Sequence, residues 1–182
     1  MVDNPGAGHS AHERRLMLLR HAKAARPGSA ADRDRPLAER GREAAPQMGA
    51  YMRRENLLPD LTLVSTALRT EETWSLLGAA LGPDMAKRDV SELYAASPNH
   101  LFKIIRAVPP EVRALMLVGH NPGIPALAVQ LLGRGDAEVR QRLLEKFPTC
   151  GLVVIDFEGD SWEEIVAGTG HLERFVTPDT IS

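Results

Sequence analysis

The stretch Leu16-Met17-Leu18-Leu19-Arg20-His21 predicts a buried strand that ends in two polar residues. Four consecutive apolar residues bounded by charged ones are typical of a strand covered on both faces of a sheet. Two later runs have the same form, Leu61-Thr62-Leu63-Val64-Ser65 and Ala114-Leu115-Met116-Leu117-Val118. Segments with apolar residues at helical spacing separate and follow these runs. The alternation predicts an α/β fold, a single three-layer α/β/α domain with a mostly parallel sheet.

Turn and cap residues set the expected limits of the other elements. Pro46 fits a first helical turn, so the first regular helix is expected to start near Ala44. Asn121 is expected to cap the helix after the third run, with Pro122 as its first residue. Residues 152–157 and 162–167 predict a C-terminal hairpin at one edge of the sheet. Residues 22–35 form an unusually long predicted loop, a feature that often has a functional reason.

Length and composition limit the possible classes of function. The chain has 182 residues, 43% of them hydrophobic, which suits one domain with a substantial core. A formal net charge of -2 gives no overall attraction to nucleic acid or to an anionic membrane, so neither is an expected partner. Residues 1–13, with His9 and His12, are expected to form a disordered tail before a domain over 14–182. The single cysteine, Cys150, and the lack of a visible secretory or membrane segment favour a cytoplasmic location.

Polar residues follow each of the three predicted buried strands. Arg20 and His21 follow the first strand, Ser65 and then Arg69 follow the second, and His120 follows the third. The carboxyl ends of parallel strands meet at the crevice of an open α/β sheet, so we expect these side chains to lie close together. Each guanidinium offers a planar fork of donors that matches two phosphate oxygens. The set therefore predicts a site for a phosphoryl group.

Two histidines at such a site indicate transfer of the phosphoryl group rather than binding alone. A neutral imidazole can attack phosphorus and become phosphohistidine, which divides one difficult displacement into two easier ones. A second imidazole, if protonated, can donate to an oxygen whose charge grows in the transition state. The arginines supply the positive charge, so neither a metal nor another cofactor is expected.

Three further residues are weaker candidates for the same site. Glu92, just after a short predicted strand near residues 87–90, is the candidate general acid for the leaving group. A solvated surface glutamate is an equally good interpretation of Glu92. Ser65 is interpreted either as a plain helix N-cap or as a neighbour of the phosphate, and Asn121 as a phosphate-binding residue at a helix N-terminus.

At these positions the sequence resembles the histidine phosphatase superfamily. Its signature is an Arg-His pair after the first strand, a Ser-containing turn with a helical Arg, and a second His after a later strand. The resemblance covers about residues 15–130 and implies that His21 is the nucleophile. It also implies a phosphate pocket made of Arg20, Arg69 and His120. One departure is Ala22, because the family often has Gly after the catalytic His.

The short chain and two motifs are similar to the small bacterial phosphohistidine phosphatase branch of that superfamily. The motifs are Arg35-Pro36-Leu37 with Arg40-Gly41, and Gly119-His120-Asn121-Pro122-Gly123. The chain also lacks the long insertion that phosphoglycerate mutases place between their catalytic halves. The resemblance therefore implies an open pocket and a phosphatase acting on phosphohistidine in a protein, such as a histidine-containing phosphotransfer domain.

Three other functions remain open from the residues alone. One is a broad phosphatase for small phosphoesters, which would use the same four side chains. Another is a phosphate-binding module without turnover, which the uncertain role of Glu92 leaves possible. The third is a metal hydrolase built on His21 and His120, which is disfavoured because neighbouring arginines would repel a cation.

Overall fold

A computed structural model describes residues 13–181, which form one mixed sheet with helices on both faces. The strands are β1 (Glu13–Arg20), β2 (Leu61–Val64), β3 (Lys87–Asp89), β4 (Ala114–Gly119), β5 (Leu132–Gly135), β6 (Leu152–Glu158) and β7 (Gly170–Val176). The helices are α1 (Glu39–Arg54), α2 (Leu68–Leu81), α3 (Pro98–Arg106), α4 (Gly123–Leu131), α5 (Ala137–Glu145) and α6 (Pro178–Ile181). Two short 3-10 helices, Asp32–Asp34 and Ser91–Leu93, lie in loops.

The sheet has the strand order β3-β2-β4-β1-β6-β7-β5. The four strands from β3 to β1 run parallel, β6 is antiparallel to both β1 and β7, and β5 is parallel to β7. The predicted α/β fold with a mostly parallel sheet is therefore confirmed. None of the helices within residues 13–181 is long and apolar enough to cross a membrane.

Alternate residues of β1 point into two separate hydrophobic cores, one on each face of the sheet. Leu16 and Leu18 pack in the core covered by α3 and α4, whereas Met17 and Leu19 pack in the core covered by α1 and α2. All four side chains are fully buried. A strand buried on both faces needs a continuous apolar run, which is why this segment lacks the polar alternation of a surface strand. The three-layer arrangement follows from this double burial.

The first helix and the tail differ from the sequence prediction. The helix α1 starts at Glu39 rather than near Ala44, and Pro46 lies in its interior. Proline cannot donate a backbone hydrogen bond, but the buried face of α1 continues on both sides of it, at Ala45 and Met48. The predicted tail also ends earlier, because Glu13 is the first residue of β1. The rest of that tail, with His9 and His12, lies outside the described residues.

The C-terminal hairpin was misplaced by the sequence prediction. Residues 162–167 form turns, and the strand that pairs with β6 is β7. Trp162 is fully buried among the side chains of one core, and its indole N–H donates to Val112 O at 2.6 Å. The apolar side chain of Trp162 therefore anchors a turn and is not part of a strand. The hairpin is also not at the edge, because β5, a strand that the sequence did not predict, pairs outside β7.

Candidate active site

The carboxyl ends of β1, β2 and β4 bring the predicted histidines together. Arg20 pairs with Gly119 in the register of β1 and β4, so the next residues of the two strands are also adjacent. The His21 amide donates to Gly119 O at 3.0 Å, and the Ser65 amide donates to Val118 O at 3.1 Å. As a result, the ring centroids of His21 and His120 lie 5.4 Å apart.

One hydrogen bond fixes the tautomer of His21. Its Nδ1 lies 2.7 Å from Ala22 O, and a carbonyl oxygen can only accept, so Nδ1 carries the proton. In a neutral ring the lone pair is then on Nε2. The residue is 9% exposed, so it is largely buried but not sealed from solvent. This arrangement suits an attacking nitrogen.

The backbone around His21 is anchored from two directions. The Ala22 amide donates to Thr73 Oγ1 at 3.0 Å, and that hydroxyl donates to Arg69 O at 2.6 Å. The Cys150 amide, on the other side, lies 3.0 Å from His21 O and 3.1 Å from Arg20 O. Thr73 therefore connects the turn after β1 with the first turn of α2. The link makes the positions of His21 and Arg69 depend on each other.

His120 is held through both of its ring nitrogens. Its Nδ1 lies 3.4 Å from a terminal nitrogen of Arg69, which can only donate, so Nδ1 accepts. The proton of the neutral ring is then on Nε2, which donates to Ser65 Oγ at 2.7 Å. Ser65 is fully buried, and the N-cap of α2 is Ala67, so the cap interpretation of Ser65 was wrong. The hydroxyl of Ser65 positions His120 instead.

Both histidines are neutral at physiological pH. Burial is the main reason that the pKa of His21 falls to about 4, and the charges of Arg69, Arg20 and Arg35 lower it further. Burial also lowers the pKa of His120 to about 3, with additional contributions from His21 and Arg69. A neutral His21 is ready to attack without prior loss of a proton. His120 does not carry a positive charge before an anion binds.

Arg20 offers unused donors beside these rings. Its Nη1 donates to Phe147 O at 2.8 Å. Its Nε is buried, and among the described residues it has no hydrogen-bond partner. A buried donor without a partner is costly unless a ligand supplies an acceptor. Arg20 also lowers the pKa of both histidines, so its charge acts on both rings. An anion next to His21 would satisfy this guanidinium.

Arg69 is tied to a carboxylate in the long loop after β1. Its Nη1 donates to Asp32 O at 2.6 Å, and its Nη2 donates to Asp32 Oδ2 at 3.0 Å. The side chain of Arg69 is 8% exposed, and the side chain of Asp32 is 51% exposed. Asp32 therefore binds both terminal nitrogens of the guanidinium, and one of them, Nη2, also lies next to His120. This contact gives the loop of residues 22–35 a role at the site.

Asp32 also binds two further side chains that the sequence analysis missed as site residues. Tyr94 Oη donates to Asp32 Oδ2 at 2.7 Å, and Arg35 Nη1 donates to Asp32 Oδ1 at 3.0 Å. These two hydrogen bonds hold the pKa of Asp32 well below its usual value, and the bond from Tyr94 has the larger effect. The ring of Tyr94 lies 5.5 Å from that of His120, edge to face. Arg35 was noted only as part of a motif, and no local pattern marked Asp32 or Tyr94.

Glu92 and Asn121 are not joined to the two histidines and two arginines. Glu92 is exposed in a 3-10 helix, and its hydrogen bond with a side chain of the described residues is with Ser91, at 2.9 Å. Its pKa is lowered by a backbone hydrogen bond and by Ser91, whereas a general acid benefits from a raised pKa. Asn121 is exposed and is not the N-cap of α4, because that position belongs to Pro122.

Two other histidines among the described residues, and the thiol of the cysteine, are poor candidates for this chemistry. His100 and His171 are exposed, as the sequence predicts. Cys150 is fully buried, and burial raises the pKa of its thiol to about 12, so it is not a thiolate nucleophile. Residues 13–181 contain no cluster of three or more His, Cys, Asp or Glu side chains arranged to hold a metal ion.

The lowered pKa values predict that both site histidines stay neutral in mildly acidic solution. We expect the ring nitrogens of His21 to titrate near pH 4 in an NMR titration of the folded protein, and those of His120 near pH 3. In protein unfolded by guanidinium chloride the same signals should titrate near the ordinary value of about 6.5. Because only the neutral ring attacks, transfer to His21 should weaken as pH falls through about 4. Titration near 6.5 in the folded protein would contradict the described burial.

A second prediction concerns the contact between Asp32 and Tyr94. The neighbouring carboxylate raises the pKa of Tyr94, first through their hydrogen bond and also through its charge. Because Tyr51 is the other tyrosine of the chain, Tyr51→Phe leaves a single phenol to follow by ultraviolet absorbance. Adding Asp32→Asn should shift its titration to lower pH, since a tyrosinate is no longer beside a negative charge. Adding Glu92→Gln is the matched control and should leave the titration unchanged. Equal titrations in all three proteins would show that Asp32 does not bind Tyr94 in solution.

Comparison with known proteins identifies the family of the chain. Residues 16–93 match the model of the histidine phosphatase superfamily (branch 1). An uncharacterized protein of Mycobacterium tuberculosis is 38% identical over 162 residues, which cover 88% of this chain and 99% of that protein. An uncharacterized chloroplastic protein of Arabidopsis thaliana is 32% identical over 181 residues, covering 92% of this chain and 79% of that protein.

Two solved structures share the fold over nearly their whole length. The SixA protein of Agrobacterium tumefaciens, named as a candidate phosphohistidine phosphatase, is 32% identical with a TM-score of 0.78, covering 91% of this chain and 98% of its own. A protein histidine phosphatase SixA in complex with tungstate is 20% identical with a TM-score of 0.75, covering 92% of this chain and 99% of its own. This likeness supports the fold. The chain belongs to the histidine phosphatase superfamily, and the similarity to the Agrobacterium protein supports its place in the small bacterial phosphohistidine phosphatase branch.

Proposed function

We propose that this phosphatase removes the phosphoryl group from phosphohistidine in a protein, through a phosphohistidine intermediate on His21. The observation that carries the proposal is the hydrogen bond from His21 Nδ1 to Ala22 O, which leaves the lone pair on Nε2. The positive charge of Arg20, which acts on the same ring, supports it, because this charge attracts an anion to His21. The similarity to the SixA protein of Agrobacterium tumefaciens, which is named as a candidate phosphohistidine phosphatase, favours that substrate class.

In the first step His21 Nε2 attacks phosphorus as the P–N bond to the substrate imidazole breaks. Arg20 and Arg69 donate to the phosphoryl oxygens and offset their negative charge. A phosphohistidine that carries a ring proton leaves as neutral imidazole, so this step needs little help from an acid. In the second step water attacks the phosphoryl group on His21, and the P–N bond returns its electron pair to Nε2. One proton of the water stays on its oxygen and the other passes to a second phosphoryl oxygen, so the product leaves as dihydrogen phosphate.

His120 gains its function when the phosphoryl group is bound. The neutral ring presents its Nδ1 lone pair towards Arg69 in the free protein. A phosphoryl dianion nearby favours the imidazolium, because an opposite charge within a few ångströms raises a histidine pKa. The ring could then donate from Nδ1 to a phosphoryl oxygen while Nε2 keeps its bond to Ser65. Charge on His120 would thus appear only when the substrate supplies the matching anion.

Glu92 provides a test of the leaving group. Because a protonated imidazole leaves without an acid, Glu92→Gln is expected to change kcat/KM for phosphohistidine by less than about threefold, within the range of a surface substitution. For an ester with a poor leaving group, such as a sugar phosphate, a larger loss would make Glu92 a general acid for that substrate. A loss of 100-fold or more on phosphohistidine would contradict the proposed leaving-group chemistry, since about 10²-fold is the usual contribution of an acid.

The direct test of the substrate class compares kcat/KM for different phosphoryl donors. A phosphorylated histidine-containing phosphotransfer domain is compared with sugar and nucleotide phosphates, in buffer with a chelator. We expect at least a 100-fold preference for the phosphoprotein and full activity with the chelator present. Comparable turnover of all donors would instead indicate a broad small-molecule phosphatase. Tight phosphate binding without turnover of any donor would indicate a phosphate-binding module. A cytoplasmic location is part of the proposal, because phosphotransfer domains of this kind are its expected partners.

A further inference from the structure

A cavity of about 410 Å³ opens beside His120, at the same edge of the sheet as the phosphate site. It lies between the loop after β3 and the start of α4, with Leu93 and Leu101 at its buried side. Ala126 of α4 lines it from the exposed side. None of the contacts that position His21 or Arg69 uses this space. The cavity is therefore continuous with the site through His120 but is not part of the phosphate pocket.

The chemistry of the lining is apolar. The lining side chains are mostly those of Leu, Ala and Pro, and no Lys, Arg, Asp or Glu of the described residues is among them. The polar side chains of the lining are those of Ser97, His120 and Asn121, and the Ser97 hydroxyl accepts a hydrogen bond from the His100 amide at 3.2 Å. A second phosphate or a carboxylate would find no opposite charge here, and sugar hydroxyls would find few partners. Such a lining favours an occupant that loses apolar surface to it.

We propose that this cavity binds an apolar side chain that lies next to the phosphohistidine in the substrate protein. The inference rests on the proposed function, because it needs the phosphoryl group between His21 and His120. A residue adjacent to the phosphohistidine, or one helical turn away, lies within about 4–6 Å of it along the substrate backbone. The cavity lies at that short range, because the ring of His120 lines it and is also next to the ring of His21. A substrate held by its phosphoryl group can thus reach the cavity with a neighbouring side chain.

The binding of such a side chain would select among phosphorylated proteins. Arg20 and Arg69 recognise the phosphoryl group, which is the same in every phosphohistidine. The cavity would instead recognise the residues that surround the phosphohistidine. A charged or strongly polar side chain would lose its hydration in the cavity without compensating contacts. We therefore expect discrimination to appear in KM for the phosphoprotein rather than in the chemical step.

Two substitutions on one face of α4 test the inference. Ala126→Phe fills the cavity with an added ring, whereas Val129→Phe changes an exposed residue of the same helix that does not line it. Each variant is measured with two substrates that share the P–N bond, a phosphorylated histidine protein and phosphoimidazole. Ala126→Phe should raise KM for the phosphoprotein at least tenfold and change kcat/KM for phosphoimidazole by less than twofold. Val129→Phe should change neither value.

A second variant protects the test against misfolding. Ala126 is exposed at the mouth of the cavity, so Ala126→Glu displaces no buried atoms, and it should weaken phosphoprotein binding by placing a charge beside the apolar lining. Circular dichroism checks that both Ala126 variants are folded. Unchanged KM for the phosphoprotein in both folded variants, or equal losses for both substrates, would overturn the inference. A third substrate, 1-naphthyl phosphate, is measured as well, and a loss on it without a loss on the phosphoprotein would make the cavity a site for small aromatic leaving groups and would also overturn the inference. Failure of the unmodified protein on the phosphoprotein would refute the proposed function instead.

Discussion

Replacing His21 with glutamine is expected to lower kcat for phosphohistidine by about 10⁶-fold, the scale observed when a covalent nucleophile is removed. The amide of glutamine can occupy much of the imidazole volume, but it has no basic nitrogen to attack phosphorus. Arg20, Arg69 and His120 would remain, so inorganic phosphate should still bind. The variant therefore separates binding, which the other residues provide, from turnover, which needs Nε2 of His21.

The matched control for this experiment is His171→Gln. His171 is exposed on β7, and its substitution removes an imidazole without touching the site. Turnover and phosphate binding should both be unchanged in this variant. Residual activity of His21→Gln above about one per cent would contradict nucleophilic catalysis by His21, since one per cent is far above the expected scale of about 10⁻⁶.

Replacing Arg69 with lysine is expected to cost about 10²–10³-fold in kcat/KM, which is typical for the loss of one donor to a developing negative charge. Lysine keeps the positive charge but not the planar fork. Arg69 uses its two terminal nitrogens to reach Asp32 and His120. A single ammonium cannot make both contacts and also donate to two phosphoryl oxygens. The loss should therefore exceed what charge alone would explain.

Arg88→Lys is the corresponding control for Arg69. Arg88 is exposed on β3, and its exchange for lysine keeps the net charge of the protein. The inhibition constant of inorganic phosphate should rise for Arg69→Lys together with KM, and neither should change for Arg88→Lys. If lysine at position 69 supports full activity, the bidentate geometry has no importance and the described role of Arg69 is wrong.

The sequence was sufficient to predict the core of the sheet and the meeting point of its strands. Continuous apolar runs such as Leu16 to Leu19 report burial on both faces, and parallel strands place their carboxyl ends side by side. Arg20, Arg69 and His120 could therefore be placed near His21 before any tertiary contact was known. The antiparallel half of the sheet was harder to predict. There, β5 is short and glycine-rich, and the apolar Trp162 belongs to an anchored turn.

The contacts that tune the site could not be predicted from local sequence. Asp32 lies in a long loop, and its link to Arg69 spans 37 residues, while its link to Tyr94 spans 62. The role of Ser65 likewise depends on a partner 55 residues away, His120. Such bonds depend on how loops fold over the sheet edge, and hydrophobic periodicity carries no information about them. The tautomer of His21 could not be predicted from local sequence either, since it depends on the backbone conformation at Ala22.

The most direct measurement is the identification of the phosphorylated atom during turnover. The protein is mixed with phosphorylated histidine protein, quenched within milliseconds at alkaline pH, digested, and analysed by tandem mass spectrometry. We predict a phosphoryl group on His21, lost in acid and stable in base, with one product released per enzyme in the initial burst. A phosphoryl group on any other residue, or a burst without a modified His21, would contradict the account.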